Sequence, residues 1–140
     1  MNCVGNSTMP PDLSEETVAG MAKAAWNSRL MARLYGSTAV GCAALDEQGR
    51  VFVGCNIEHR YRSHDIHAEV NAISSLVAGG GTSLVAIFIA AERERFTPCG
   101  SCMDWIFEVG STSTLVITQR EPDGVVVTLP AEDLMPFYPR

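Results

Sequence analysis

Apolar side chains recur at helical spacing through Val18, Met21, Ala22, Ala25, Trp26, Leu30 and Leu34, which predicts a first helix running to about residue 34. Ser14 stands ahead of the stripe as an N-cap, with Glu15 and Glu16 in the first turn, where the helix dipole favours negative charge. Two β-prone runs follow, Val40 to Leu45 and Arg50 to Asn56, and Asp46-Glu47-Gln48-Gly49 between them reads as a hairpin turn. Residues 57–65 are polar and irregular, and a second helix is predicted from about Ile66 to Ala78, stopped by Gly79-Gly80-Gly81. Leu84 to Ala91 is a nearly unbroken apolar run, the pattern of a central strand covered on both faces. Pro98 opens a short third helix ending near Val109-Gly110. Two more strands, Thr114 to Thr118 and Val125 to Leu129, flank the turn Glu121-Pro122-Asp123-Gly124, and the tail from Ala131 to Arg140 has room for one helical turn. Helices that alternate with strands in this order pack on the faces of one sheet, joined by right-handed crossovers.

The chain is a single domain: 140 residues suffice for one core and are too few for two. Residues 1–12, with Pro10-Pro11, read as a loose lead-in. Net charge is -6 and the pI about 4.9, and no basic run tracks a phosphate backbone, so nucleic acid is not an expected partner. No stretch approaches ~20 uninterrupted apolar residues, which excludes a membrane-spanning helix. The N-terminus lacks the basic start of a secretory signal, so the expected compartment is the cytoplasm. Five cysteines, an odd number in such a chain, favour metal-binding or catalytic thiols over a disulfide framework.

Two short stretches carry chemistry: His67-Ala68-Glu69, and Pro98-Cys99-Gly100-Ser101-Cys102. Taken singly, the histidine reads as structural, and the C-x-x-C as a redox pair, half of a structural zinc site or chance. Together they supply what a catalytic zinc needs, which is three N and S ligands with a fourth position left for water. Cys99 and Cys102 share one face of a helix start, where the dipole and the metal both favour thiolates. Glu69, two residues after His67, would point ~200° away from it on a regular helix. The two converge only if His67 sits at the helix entry. A structural zinc site would need a fourth ligand. Cys42 and Cys55 lie in predicted strands, Cys3 in the lead-in, and His64 is the residue best able to supply one.

The pair of stretches is similar to the H-x-E and P-C-x-x-C signature of zinc deaminases. Zinc lowers the pKa of its bound water from ~15.7 toward 7, and a nearby unligated carboxylate, here Glu69, moves protons from that water to the ring nitrogen and the departing amine. Across most of residues 14–136 the chain resembles the small single-domain cytidine deaminases. Tyr35 to Leu45 resembles the segment before the family's first hairpin, Gly54-Cys55-Asn56-Ile57-Glu58 its G-x-N-[IV]-E strand end, and Leu134-Met135-Pro136 its closing Leu-Leu-Pro. His67 follows eleven residues after Asn56. The resemblance implies an α/β fold, a three-layer α-β-α sandwich around a five-stranded mixed sheet. It also implies one Zn²⁺ per chain on His67, Cys99 and Cys102, with Glu69 as the catalytic proton carrier. Asn56 and Glu58 would bind the ribose hydroxyls and Ala68 would lie against the substrate. The expected activity is hydrolytic deamination of cytidine or deoxycytidine with release of ammonia, as in pyrimidine salvage, by a homotetramer whose active sites are shared between subunits. Trp26, Phe107, Phe137 and Tyr138, more aromatic surface than one core needs, support assembly.

Three departures bear on the substrate. Most small members carry cysteine as first ligand, followed by Ala-Glu-Arg, where this chain has His67 and Val70. The changes are coupled, because three thiolates on Zn²⁺ leave a net negative charge that an arginine offsets, while one imidazole and two thiolates are neutral. The larger dimeric cytidine deaminases also use His-Ala-Glu. Thr38 stands where the family has a phenylalanine packing the base pocket, and the loop His59 to Asp65 is more charged than usual. That loop is either solvated or functional, in which case Arg60 and Arg62 would pair with a phosphate or carboxylate on the substrate. The alternative reading is therefore a deaminase of another aminated heterocycle, such as a blasticidin S-like peptidyl nucleoside, a nucleotide, a guanine-type base or a pterin. A nucleic-acid editor and a non-enzymatic zinc module are further readings, opposed by the acidic charge and by Glu69 respectively.

Overall fold

The structure, a computed structural model, describes residues 13–94 and 96–138; the lead-in and Cys3 lie outside the described residues. The chain runs through α1 (Glu15–Arg29), β1 (Val40–Asp46), β2 (Val51–Cys55), α2 (Ala68–Ala78), β3 (Leu84–Ala91), α3 (Gly100–Val109), β4 (Leu115–Gln119), β5 (Val126–Pro130) and a single turn, α4 (Ala131–Leu134). The five strands form one sheet in the order β2-β1-β3-β4-β5. Only the β3–β4 pair is parallel; the β1–β2, β1–β3 and β4–β5 pairs are antiparallel. The sheet is therefore mixed, as expected.

Both faces of the centre are covered. On one face Met21 and Ala25 of α1 pack on Ala43, Leu45, Phe88 and Ile117. On the other, Ala72, Ile73 and Leu76 of α2 and Met103 and Ile106 of α3 pack on Cys42, Ala44, Ile87 and Ile89. The alternation of β1 and β3 between these clusters is the period of two that a strand imposes, and burying both faces makes the runs read as continuously apolar. Two glycines allow the helices to come close. A Cβ on Gly41 would lie 2.0 Å from the Ala25 carbonyl oxygen of α1, and one on Gly54 would lie 2.4 Å from the Ala72 nitrogen of α2. The glycine of the G-x-N segment is thus where the site-bearing helix touches the sheet.

The local signals act as predicted at most junctions. Ser14 caps α1 by accepting from the Thr17 N–H at 3.1 Å. Asp46 closes the first hairpin by accepting from the Gln48 and Arg50 N–H groups at 3.0 and 2.8 Å, and Gly49 supplies the positive φ of 81°. Asp123 takes φ 62° in the second turn, a conformation that aspartate tolerates better than most residues.

One boundary differs. The first helix stops at Arg29, not near residue 34, and Leu30 and Leu34 are 72% and 38% exposed. The cause is a competing set of backbone bonds: the Arg33 N–H donates to Asn56 O at 3.1 Å, and the Glu58 N–H donates to Arg33 O at 2.7 Å. Residue 33 pairs with the end of the hairpin, so its backbone cannot continue a helix.

Candidate active site

Strand register brings the site together. Val40 pairs with Ala91 and Gly41 with Cys55, so the start of β1 and the ends of β2 and β3 lie at one end of the sheet. Segments 36–39, 56–67 and 92–99 therefore converge there, at the carboxyl end of the parallel pair, where open α/β sheets form their crevices. They surround a cavity of about 390 Å³. That is within the ~300–1,000 Å³ of small-molecule sites.

Two helix N-termini face this cavity. His67 is the N-cap of α2, with φ -77° and ψ 152°, and Cys99 is the N-cap of α3; neither side chain caps its own helix. The extended backbone at His67 removes the ~200° separation that a regular helix would impose between it and Glu69. His67 Nδ1 lies 3.3 Å from Cys102 Sγ and 3.4 Å from Cys99 Sγ. All three donor atoms lie within 4.8 Å of one another, and they form the one such grouping among the described residues. Tetrahedral zinc holds nitrogen and sulfur ligands roughly 3.6 Å apart, so the donor set and its spacing fit this ion. His64 does not join it: its ring packs edge-on against His59 at 5.0 Å and Tyr61 at 6.4 Å. The fourth ligand that a structural site would need is absent among the described residues.

Glu69 sits in the first turn of α2, 3% exposed, and lines the cavity beside Cys99. Burial lifts its carboxyl above the usual carboxylate range, opposed by its own backbone N–H, by a hydrogen bond with Cys102 and by the charge of His67. Burial, reinforced by Glu69 and Cys99, likewise pushes the Cys102 thiol far up, so ionising it calls for a cation beside it. Cys42, on the β1 side of the same core, is raised by burial and by Glu69 and has the surroundings of a packed thiol.

The remaining expected residues divide. Asn56, Glu58, Thr38, Arg62 and Ala68 line the cavity, whereas Arg60 is exposed and lies outside its wall. Asn56 also has a structural task. Its Nδ2 donates to Thr38 O at 2.8 Å and its Oδ1 accepts from Val40 N–H at 2.9 Å, which ties the entry of β1 to the end of β2. Glu58 Oε1 accepts from the N–H groups of Tyr35 and Gly36 at 2.6 and 2.7 Å, and these bonds, ahead of the nearby Arg62, hold its carboxyl below the usual range. Sequence reasoning missed Arg93, Glu94, Phe96 and Thr97 in the wall. Their one available signal was position, between the end of a central strand and the C-x-x-C.

Residues 15–119 match the family described as "Cytidine and deoxycytidylate deaminase zinc-binding region". A probable cytidine deaminase of Dictyostelium discoideum is 29% identical over 127 residues, covering 89% of this chain and 84% of that protein. The crystal structure of cytidine deaminase from Burkholderia pseudomallei superposes with a TM-score of 0.78 at 28% identity, covering 89% of this chain and 98% of that one. That of the Mycobacterium leprae enzyme gives 0.71 at 31% identity, covering 84% and 95%. With a matched region that includes both the histidine and the cysteine ligand positions, the chain belongs to the cytidine and deoxycytidylate deaminase family and carries its zinc-binding region.

Proposed function

We propose that the protein deaminates cytidine or deoxycytidine hydrolytically, and the observation that carries this is a buried, unligated Glu69 beside the triad of His67, Cys99 and Cys102. In this reading His67, Cys99 and Cys102 hold the metal, which when bound supplies a Lewis acid that makes hydroxide available near neutral pH. Glu69 takes one proton from the attacking water and passes it to the ring nitrogen, then takes the second from the new C4 hydroxyl and delivers it to the amino group. C4 gains an oxygen, its bond to nitrogen breaks, and ammonia leaves. A carboxyl lifted by burial suits both taking and returning protons. The backbone N–H at the start of α2 opposes that lift only in part.

Asn56 and Glu58 serve as the sugar contacts in this reading. Each already holds the chain together, yet each keeps capacity: one N–H of the Asn56 amide, and the lone pair of Glu58 Oε2 that Arg62 leaves open. A substrate without the sugar leaves this remaining capacity unfilled, at about 1–3 kcal/mol each. Free cytosine should therefore be turned over at least about thirtyfold less efficiently than cytidine. A panel measuring ammonia release from cytidine, deoxycytidine, cytosine, guanine, adenosine and blasticidin S tests this. Cytosine or guanine performing as well as cytidine would refute it. The alternative heterocycles are not favoured, since the relatives matched are described as cytidine deaminases.

We also propose a homotetramer in the cytoplasm. Of the aromatics that suggested assembly, Trp26 donates to Gln119 Oε1 at 2.7 Å and Phe107 stacks on Tyr138 at 4.2 Å, so both are used within the chain; Phe137 is 94% exposed. The stronger support is β5, an edge strand with Val126 and Val127 39% and 50% exposed on opposite faces, next to Val125 at 80%. Among the described residues no helix is long and apolar enough to cross a membrane, and Cys42 and Cys55 are free thiols, as in a reducing compartment. Light scattering should give about four chains per particle; a 15.1 kDa monomer at micromolar concentration would overturn the assembly.

A further inference from the structure

The loop between Asn56 and His67 brings a closed set of charges to the mouth of the cavity. Arg62 Nε lies 2.9 Å from Asp65 Oδ2, and Nη2 of the same guanidinium lies 3.1 Å from Glu58 Oε2. Asp65 also accepts from the His59 N–H at 2.7 Å, and Glu58 Oε1 is held by the Tyr35 and Gly36 N–H groups. Bonds thus run from segment 35–36 through Glu58 and Arg62 to Asp65 and back to His59. The carboxylate side chains of Glu58 and Asp65 are 9% and 14% exposed, whereas that of Arg62 is 53% exposed, so the arginine lies over the two acids like a clasp.

An arginine recognises a phosphate best when its fork is open, because two parallel N–H donors match two oxygens. The Nε–Nη2 edge of Arg62 is shared between two carboxylates, and one positive charge against two negative ones leaves the trio net negative. Arg93 and Glu94, also in the cavity wall, contribute one charge of each sign. A phosphate entering here would meet Glu58 and Asp65 together with the guanidinium.

We propose that Arg62 is a positioning and specificity residue, which holds Glu58 in place for the sugar and, with its Nε–Nη2 edge engaged and its charge outweighed by two carboxylates, turns the cavity toward an unphosphorylated nucleoside. This rests on the nucleoside reading above. Lysine replaces it poorly, because a single ammonium on a flexible stem does not span two carboxylates as the planar fork does.

The test uses the zinc-loaded protein, with ammonia release measured from cytidine and from cytidine 5′-monophosphate for the wild type, Arg62→Gln and Arg62→Lys. The wild type should favour cytidine by about a hundredfold in kcat/KM, given the cost of like charges brought together. Arg62→Gln should raise KM for cytidine about tenfold while kcat stays within about threefold, and Arg62→Lys should fall between. Amide hydrogen exchange at Tyr35 and Gly36, read without substrate, should quicken about tenfold in Arg62→Gln as Glu58 loses its anchor. Efficient wild-type turnover of the monophosphate, lost selectively in Arg62→Gln with cytidine unaffected, would overturn the proposal and make Arg62 a phosphate receptor. Unchanged exchange at both amides would overturn the clasp. Ammonia release from neither compound by the wild type would refute the nucleoside reading, and the specificity with it, while the exchange rates still decide whether Arg62 holds Glu58.

Discussion

Replacing Glu69 by glutamine should keep the fold and the zinc while lowering kcat by at least about 10²–10⁴-fold, the range that general acid–base transfer alone contributes. The expected loss lies at or beyond the upper end, because one side chain is asked to move both protons of the attacking water. Glutamine has nearly the same shape and no charge. The 3% exposed position already penalises the ionised form, so the amide should not destabilise the core. Zinc content should stay near one per chain, since Glu69 is not among the three clustered donors. Single-turnover ammonia release alongside metal analysis makes the measurement. A Glu69→Gln protein with zinc and near-wild-type kcat would end the assignment of Glu69 as the proton carrier.

The second large effect concerns the ligands. Wild-type protein should purify with about one zinc per chain, and Cys99→Ala and Cys102→Ala should each retain well under that and release no measurable ammonia. Three ligands are the minimum set of a catalytic zinc site, and a two-ligand remnant loses most of its affinity. The two variants should differ in stability. Cys102 is fully buried between α2 and α3, whereas Cys99 is exposed at the start of α3. Removing the buried Sγ of Cys102 also leaves a small void, so Cys102→Ala should melt at the lower temperature. His64→Ala supplies the contrast and should keep its zinc, because that ring packs on His59 and Tyr61. Zinc retained in Cys102→Ala, or lost in His64→Ala, would show that the ligand set is wrongly drawn.

What the sequence determined by itself was local. The helix entries at Ser14, His67 and Cys99, the turns at Asp46–Gly49 and Glu121–Gly124, and the doubly buried β3 depend on residues within a few positions of one another. The ligand triad was legible for a related reason. Cys99 and Cys102 are one helical step apart, and the demand that Glu69 reach the same metal forces His67 off the regular helix. That the strands form one five-stranded mixed sheet was readable only through the family resemblance, and their order came from the structure.

Tertiary structure decided everything that rests on pairing across distance. The end of α1 at Arg29 is set by backbone bonds from Arg33 to residues 56 and 58, which no periodicity encodes. The same bonds place Asn56 and Glu58 as braces of the site as well as candidates for the sugar. The exclusion of Arg60 from the wall and the capture of Arg62 by Glu58 and Asp65 follow from how a nine-residue loop folds back, through the bridge between Ile57 and Ile66. Phe96 and Thr38 share the cavity wall because Val40 and Ala91 are in register. Residue types state which chemistry is available. Register states which side chains share it, because a one-residue slip in any of these strands would turn each of them to the other face.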